Sequence, residues 1–443
     1  MRLTQFDVCG YKNFTQPVVL TDLGPINILH GENNIGKSNL LEAMHLFFRV
    51  LSKDMSGDNI PLNQARMLDA ATFFAHTGSR PSLIFNLWTR QPIEIQVSIA
   101  VDPASLEEAR IKPLFDVSRV QVGVRLEWID GDVEFRVTRF EFADGKDASS
   151  YRLRGERLQF IQRFALFLAR NMLINDQADR PSFALIEETR RLKAASGAPP
   201  QEDAGILPQS LLKRLYQAKD SLDLDRVGNW RLFAELAESC FPQLQGGEFL
   251  ARFDIDEGRA GLIWSKNGIR MPVELLGSGV QQALALLGHL LTTDATLVAI
   301  EEPECNLRYE LQLRLRDAFR RVVDDTRGPR QLFMTSHSPA FEVGDCYYGM
   351  RMQGGVPVVE RRPIETAALF LGMGVIRPPD DGRAPLSYVT PAGLVRLPSS
   401  VVERLGVQKG GTILFLDRDD ETIEVLTADE VARRLDELEE KSR

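Results

Sequence analysis

Hydrophobic positions along this chain recur with two different periods, and the change of period marks the elements that we expect. From about residue 82 to 152, apolar and polar residues alternate, as in IEIQVSIAV and VEFRVTRFEF. A period of two is typical of antiparallel strands with one buried face. From about residue 156 to 241 the apolar spacing becomes helical, as in FIQRFALFLARNMLI and WRLFAELAESCF. This second pattern predicts a helical arm or lid.

Short, continuous apolar runs predict a different kind of strand, one that is buried on both faces. They lie at residues 26–29, 297–300 and 331–335, and polar or charged residues follow each of them. Such runs are typical of parallel strands in an α/β fold. Edge strands are also predicted at Leu3–Cys9 and Pro17–Leu20. We therefore predict an α/β protein with an additional antiparallel part.

The first apolar run leads into a glycine-containing loop and then into a helix. Gly31 to Ser38 reads GENNIGKS, which is the pattern G-x-x-x-x-G-K-S. The glycines let successive backbone N–H groups point inward, and the helix N-terminus favours an anion. Lys37 can reach the β- and γ-phosphates of ATP, and the Ser38 hydroxyl can bind Mg²⁺. The expected nucleotide-binding residues are Asn33, Asn34, Gly36, Lys37, Ser38 and Asn39.

Three shorter motifs follow along the chain, and each has two readings. Gly277-Ser278-Gly279, with Gln281 nearby, precedes an apolar helix whose N-terminus could bind an anion or be an ordinary cap. Glu301 and Glu302 end an apolar strand, where acids either hold a metal and polarise water or are simply solvated. His337 follows another strand and could lie at a ligand-binding edge or in an ordinary loop.

The order of these motifs, with a large insertion after the first, resembles the ABC-type ATPase heads of the SMC, RecF and OLD-like families over residues 1–345. The resemblance implies a P-loop ATPase head with an antiparallel β subdomain and a helical insertion. It implies ATP and Mg²⁺ as cofactors, with Lys37 and Ser38 at the phosphates and metal and Glu301 as the metal-side acid. Glu302 would activate the attacking water, and His337 would be the switch histidine near the γ-phosphate.

Two heads sandwich the nucleotide in these families, so the resemblance also implies a homodimer or a higher even oligomer. Ser278, Gly279 and Gln281 would then reach the γ-phosphate bound by a second protomer. Lys12-Asn13-Phe14 matches an N-terminal turn of the same families. Glu301 stands where many relatives have Asp, and Asn306-Leu307-Arg308-Tyr309 replaces a His-Leu-His-Pro pattern. A lid-side glutamine is expected but unassigned.

Composition and charge narrow the class of protein. The 443 residues are 44% hydrophobic, enough for two or three domains with sizeable cores. Four scattered cysteines indicate neither a disulfide framework nor a zinc site. No signal-peptide layout opens the chain and no apolar run reaches about 18 residues, so we expect a cytoplasmic protein without a membrane partner. The formal net charge of −9 argues against general coating of nucleic acid but leaves a local basic groove open.

A second domain is predicted towards the C-terminal end. The head would occupy residues 1–377, and PPDDGRAP at residues 378–385 would be a linker. Residues 386–443 resemble the SpoVT-AbrB swapped-hairpin domain with a charged helix after it, and the matching positions are Gly393, Val395, Pro398, Leu405, Gly406 and Gly410. That family interleaves two chains, so the resemblance implies a small dimerising β domain. Leu394 replaces an expected Arg, and DNA contact through Arg396, Arg404 and Lys409 stays open.

Two functions of different classes fit these motifs. The first is an ATP-hydrolysing dimeric switch that acts on DNA or controls a separate effector protein, as in bacterial anti-phage defence or DNA repair. The alternative is a nucleotide-sensing, DNA-binding regulator that reads an operator with its C-terminal hairpin domain. Asp417-x-Asp419 resembles a Toprim nuclease motif, but a hairpin turn accounts for these acids. An ABC transporter subunit is disfavoured because the antiparallel insertion does not suit docking on a membrane partner.

Overall fold

The computed structural model divides the chain into two compact units, Met1–Ile364 and Glu365–Arg443. The structure describes residues 2–54, 65–68, 81–86, 89–100, 119–142, 183–187, 192–194, 206–325, 327–341, 346–362, 413–417, 423–427 and 433. No helix in these ranges is both long enough and apolar enough to cross a membrane.

The strands and helices of the described residues are numbered in chain order. The strands are β1 (Arg2–Cys9), β2 (Val18–Thr21), β3 (Ile26–Gly31), β4 (Arg66–Leu68), β5 (Ile93–Ala100), β6 (Arg119–Ile129), β7 (Asp132–Phe142), β8 (Phe183–Ile186), β9 (Leu192–Ala194), β10 (Glu248–Asp254), β11 (Arg259–Lys266), β12 (Ile269–Pro272), β13 (Leu297–Glu301), β14 (Gln331–Ser336), β15 (Cys346–Gln353), β16 (Val356–Arg362), β17 (Ile413–Asp417) and β18 (Ile423–Thr427). The helices are α1 (Lys37–Asp54), α2 (Gln209–Lys219), α3 (Leu224–Cys240), α4 (Ser278–Thr292) and α5 (Tyr309–Asp324).

A seven-stranded sheet forms the centre of the first unit, in the order β16-β15-β3-β14-β13-β8-β9. Its five inner strands run parallel, and the two outer strands pair antiparallel. The three apolar runs predicted as buried strands are β3, β13 and β14, and every residue of β14 is buried. Because these strands are parallel neighbours, their carboxyl ends meet at one edge of the sheet.

A six-stranded antiparallel sheet lies beside it, in the order β2-β1-β5-β6-β7-β4. Buried and more exposed residues alternate over much of β5 and β6, as expected for a sheet with one face on the core. The predicted antiparallel strands are therefore confirmed for the described residues. The structure adds β1 and β2 to this same sheet, because β1 pairs with both β2 and β5.

Helix α1 packs between the two sheets. Every residue from Leu40 to Leu51 except Glu42 is buried, and the same hydrophobic core contains side chains of both sheets. On the side of the central sheet, the Phe48 ring stacks on Phe183 of β8 with centroids 5.3 Å apart. Helix α1 is therefore enclosed on nearly all sides, and its buried positions include His45 and Arg49 as well as apolar residues.

The other face of the central sheet is covered by α2, α3, α4 and α5 and by the small sheet of β10, β11 and β12, around a second hydrophobic core. Helices α2 and α3 confirm the helical spacing predicted there. The prediction of a helical arm over residues 156–241 is wrong at Phe183–Ile186, which is a fully buried strand parallel to β13. Four consecutive apolar residues suit a buried strand and a buried helix equally, so periodicity could not separate them. Residues 156–182 lie outside the described ranges.

In the second unit, β17 and β18 form an antiparallel hairpin in which Ile413 faces Thr427. These strands flank the Asp417–Glu421 segment, as the sequence predicts. The proposed linker at residues 378–385 and the positions Gly393 to Gly410 lie outside the described residues. The swapped-hairpin domain and its role in dimerisation therefore stay predictions.

Candidate functional site

The loop between β3 and α1 joins the central sheet to the enclosed helix, in the predicted order of strand, loop and helix. Gly36 has a φ of +111°, and a Cβ added there would lie 2.6 Å from Asn13 Nδ2. This position therefore requires glycine on both conformational and steric grounds. Asn13 braces the loop, since its Nδ2 donates to Ile35 O at 3.0 Å and its Oδ1 accepts from Asn39 Nδ2 at 2.8 Å. Asn34 also has a positive φ of 64°.

Lys37 is the buried cation of the loop, with 6% of its surface exposed. Its Nζ donates to the carbonyl oxygens of Gly31 at 3.0 Å and Glu32 at 2.9 Å. The same Nζ lies 2.8 Å from His337 Nε2. Burial lowers the pKa of Lys37 from its ordinary value, and the charges of Glu302 and Glu304 oppose that shift. The ammonium group is thus held inside the loop by dipoles and by an imidazole.

The two adjacent acids follow β13 in different backbone conformations. Glu301 is the last residue of the strand, and Glu302 has a left-handed φ of 41°. The Glu302 N–H donates to Thr335 O at 3.1 Å, which ties this turn to β14. Its carboxylate lies between two groups: Oε1 is 3.4 Å from His337 Nε2, and Oε2 accepts from the Cys305 thiol at 3.2 Å. A left-handed glutamate costs about 1–3 kcal/mol and is a feature of functional sites.

His337 follows β14 directly. It lies between Lys37, which follows the loop after β3, and Glu302, which follows β13, and it contacts both. The backbone around His337 is held by Glu304, whose Oε1 accepts from Ser336 Oγ at 2.9 Å, from His337 N at 2.5 Å and from Ser338 N at 3.2 Å. Ser338 Oγ in turn donates to Gln312 Oε1. The predicted cluster of cation, imidazole and carboxylate is therefore present, with an additional carboxylate behind it.

The Gly-Ser-Gly motif lies at the start of α4. Gly277 is the N-cap of this helix, and Ser278 is exposed at its first position. The Gln281 side chain donates to the carbonyl oxygens of Glu274 at 2.9 Å and Leu276 at 2.8 Å. Within the part of the chain that the structure describes, no hydrogen bond or ion pair joins Ser278, Gly279 or Gln281 to Lys37 or His337. A Cβ added at Gly279 would lie 3.5 Å from Asn306 O, so the α4 N-terminus lies beside the turn that follows the paired acids.

The exposed Ser38 hydroxyl and the half-buried Glu301 carboxylate are the residues at this edge that would bind a divalent cation, since Mg²⁺ prefers oxygen ligands. Among the described residues, no three His, Cys, Asp or Glu side chains converge as they would in an all-protein metal site. The remaining ligands would have to come from water and phosphate oxygens, which is how Mg²⁺ is commonly bound. The residues present therefore fit a magnesium–nucleotide complex.

Several residues of the site carry no recognisable motif. Glu304 is visible in the run Glu-Glu-Pro-Glu, but its partners around His337 are brought to it only by the pairing of β13 with β14. Gln312 and Ser338 come from α5 and from the turn after β14, and they meet through tertiary packing. Lys12 belongs to the predicted Lys12-Asn13-Phe14 turn, but its contact with the Glu42 carboxylate on α1, shared with Tyr11, is not part of that motif. The spacing of these residues along the sequence gives no signal for such contacts.

Comparisons with known proteins bear on the fold and the family. Residues 26–343 match the family model described as "AAA domain, putative AbiEii toxin, Type IV TA system". Among solved structures, the chain is similar to an SMC head bound to the C-terminal winged-helix domain of ScpA, with a TM-score of 0.50, 15% identity, and coverage of 83% of this chain and 100% of that chain. It also matches the SMC head domain from Thermotoga maritima, with a TM-score of 0.42, 14% identity, and coverage of 82% and 100%. No curated protein sequence matches the chain.

The matched region begins with β3 and extends past β14, so it contains the loop, the α4 motif, the paired acids and His337. The likeness to the SMC head at 15% identity concerns the fold alone. The family match and the likeness to the SMC head agree with the central parallel sheet and the loop between β3 and α1. The chain therefore belongs to this AAA-domain family, and its first unit shares the fold of an SMC head.

Proposed function

We propose that this protein is an ATP-binding and ATP-hydrolysing switch in which two heads pair around nucleotide and control a separate effector protein or act on DNA. The observation that carries this proposal is the contact chain Lys37–His337–Glu302, with successive separations of 2.8 Å and 3.4 Å. A cation at the start of α1, an imidazole after β14 and a carboxylate after β13 can bind phosphate, orient it and accept a proton from water, which are roles that phosphoryl transfer to water uses.

The loop residues supply binding. Lys37 leaves its two carbonyl acceptors and contacts the β- and γ-phosphates. The N–H groups of Asn33, Asn34 and Gly36, together with Asn39, would surround the same phosphates. Ser38 and Glu301 would hold Mg²⁺, which when bound neutralises charge that develops on the phosphate oxygens. The fit is supported by the loop geometry, because glycine at residue 36 is required and the α1 N-terminus faces the same loop.

The carboxylate of Glu302 supplies general-base chemistry. It accepts a proton from the attacking water, and His337 orients the γ-phosphate beside it. The Glu302 carboxylate contacts the Cys305 thiol and His337, and these contacts hold it in place. General-base catalysis by a positioned carboxylate contributes about 10²–10⁴-fold to the rate.

The second half of each site comes from another protomer in this proposal. Ser278, Gly279 and Gln281 at the α4 N-terminus would contact the γ-phosphate held by the other chain. The exposure of Ser278 supports this arrangement, as does the lack of a hydrogen bond or ion pair between this group and Lys37 among the described residues. The Glu365–Arg443 unit would keep the second chain close by pairing its hairpin domain, which raises the effective concentration of the partner head.

The family description names a putative toxin of a type IV toxin–antitoxin system, and an SMC head of similar fold is bound to a domain of ScpA. These descriptions support a head that works with a partner protein.

The test is the Glu302→Gln variant, compared with Glu360→Gln, which makes the same chemical change at an exposed ion pair with Arg351 on the sheet edge. We expect Glu302→Gln to lower ATP turnover by at least about 100-fold with ATP affinity retained. The Glu360→Gln control should hydrolyse ATP like the unaltered protein. Unchanged turnover in Glu302→Gln would show that the proposed hydrolysis chemistry is wrong.

Light scattering tests the pairing of heads. Glu302→Gln should form a larger species when ATP is added, because nucleotide is bound and not consumed. Adding Lys37→Ala to this variant should abolish that nucleotide-driven association, since the phosphate contact is lost. Association that persists in the double variant would contradict the composite site.

A further inference from the structure

Glu304 is the carboxylate behind the cluster, and three donors converge on one of its oxygens. Oε1 accepts from Ser336 Oγ at 2.9 Å, His337 N at 2.5 Å and Ser338 N at 3.2 Å. These donors belong to the end of β14, whereas Glu304 belongs to the turn after β13. We infer that Glu304 is a positioning residue: it holds the backbone of His337 so that the imidazole lies between Lys37 and Glu302. This inference rests on the proposed function and extends it to Glu304, a residue to which the sequence motifs assign no role.

The chemistry of the side chain supports this role over simple packing. An ionised carboxylate makes stronger hydrogen bonds to backbone N–H groups than a neutral acceptor does. Its second oxygen, Oε2, is buried and has no hydrogen-bond partner among the residues that the structure describes. Leaving a buried carboxylate oxygen unpaired costs free energy, so stability alone does not explain a glutamate here. The Glu304 charge is also near enough to Lys37 to favour its charged form.

A second connection joins the same two segments. Ser338 Oγ donates to Gln312 Oε1 at 2.5 Å, and Gln312 Nε2 donates to Leu307 O at 2.7 Å. Gln312 is buried on α5, close to the turn that carries Glu304. The turns after β13 and β14 are therefore joined by hydrogen bonds at two points, and the His337 backbone lies between these two points.

The position of His337 matters because its Nε2 faces two groups with opposite demands. It is 2.8 Å from Lys37 Nζ, which can only donate, and 3.4 Å from Glu302 Oε1, which accepts when ionised. A single ring nitrogen can accept from Lys37 or donate to Glu302, but not both at once. A small displacement of the His337 backbone would change which partner is engaged. Glu304 prevents that displacement, and so it sets the distances from His337 Nε2 to Lys37 and to Glu302.

The experiment is a double-mutant cycle between Glu304→Ala and His337→Ala, with Glu304→Gln as the conservative variant. Glu304→Ala should lower kcat by up to about 100-fold with little change in KM, because a misplaced group costs rate and not binding. In the His337→Ala background the same change should have little further effect, since Glu304 acts through His337. Glu304→Gln keeps one accepting oxygen and should recover most of the activity. The exposed control Glu360→Ala should behave as the unaltered protein.

A readout without nucleotide completes the test. The imidazole carbon and nitrogen chemical shifts of His337, assigned by comparison with His337→Ala, should change in Glu304→Ala and return in Glu304→Gln. If Glu304→Ala does not fold, Glu304→Asp replaces it, since the shorter side chain cannot reach all three donors. Additive effects of the two alanine changes on kcat, or unchanged His337 shifts, would overturn the inference. Failure of the unaltered protein to hydrolyse ATP would instead reject the proposed function.

Discussion

Gly36 and Glu302 both adopt left-handed backbone in the site, and they do so for different reasons. Gly36 has a φ of +111° and packs against the Asn13 amide, so glycine is required by both space and conformation. Glu302 has a φ of 41° although it is not glycine, and contacts with Thr335 and Cys305 hold it there. The first is a requirement of the fold of the loop, and the second is strain that the neighbouring strand and turn stabilise.

Gly36→Ala should destabilise the protein more than Gly131→Ala does. Both glycines have positive φ, +111° and +101°, but a Cβ at Gly131 meets nothing within 4 Å whereas one at Gly36 meets Asn13 at 2.6 Å. Each change adds about 1–3 kcal/mol of backbone strain, and only Gly36→Ala adds a clash. The free energy of unfolding from denaturant titration measures the difference. Equal destabilisation of the two variants would contradict the role of the Asn13 contact.

At the residue scale, the sequence predicts the members of the site better than their contacts. Lys37 is predicted from the glycine-containing loop motif, whereas Glu302 and His337 are predicted because each follows an apolar run and strand ends converge in a parallel sheet. Their proposed catalytic roles stay predictions. Glu304, Gln312 and Cys305 were not assigned, because their partners come from segments whose register is set by β13 pairing with β14. Motif spacing carries no information about such register.

At the scale of the elements, helix α1 is the part that joins the two sheets. The sequence predicts a helix after the phosphate loop, and the structure encloses nearly the whole circumference of this helix. The antiparallel sheet covers the face that the central sheet leaves open. The phosphate loop therefore ends at a helix that is packed on both sides, as a precise binding site requires.

Phe48→Ala tests this enclosure. Phe48 is fully buried, stacks on Phe183 of β8 and meets Phe47 edge to face with centroids 5.3 Å apart. Removing the ring should lower the free energy of unfolding by about 3–5 kcal/mol. Leu224→Ala is the matched control, because that side chain is 84% exposed and its loss should change stability by at most about 0.5 kcal/mol. Similar effects of the two changes would refute the enclosed position of α1.

At the scale of the whole molecule, two compact units must cooperate if the proposed switch is correct. A chain that ends at Ile364 should keep ATP binding, because the described site residues all belong to the first unit. In the Glu302→Gln background, its ATP-driven association should need a protein concentration about 10²–10⁴-fold higher than the full chain does. Light scattering over a concentration series measures this shift. An unchanged midpoint would show that Glu365–Arg443 does not bring the heads together.

The local sequence determined the phosphate loop, the buried strands and the antiparallel strands, because glycine spacing and apolar periodicity are properties of neighbouring residues. It failed at Phe183–Ile186, since a short apolar run has no period that separates strand from helix. Only the tertiary structure decided that β8 belongs to the central sheet, that α1 is enclosed, and that Glu304 accepts a hydrogen bond from the His337 backbone. Each of these depends on pairing between segments far apart in the chain, which no local pattern encodes.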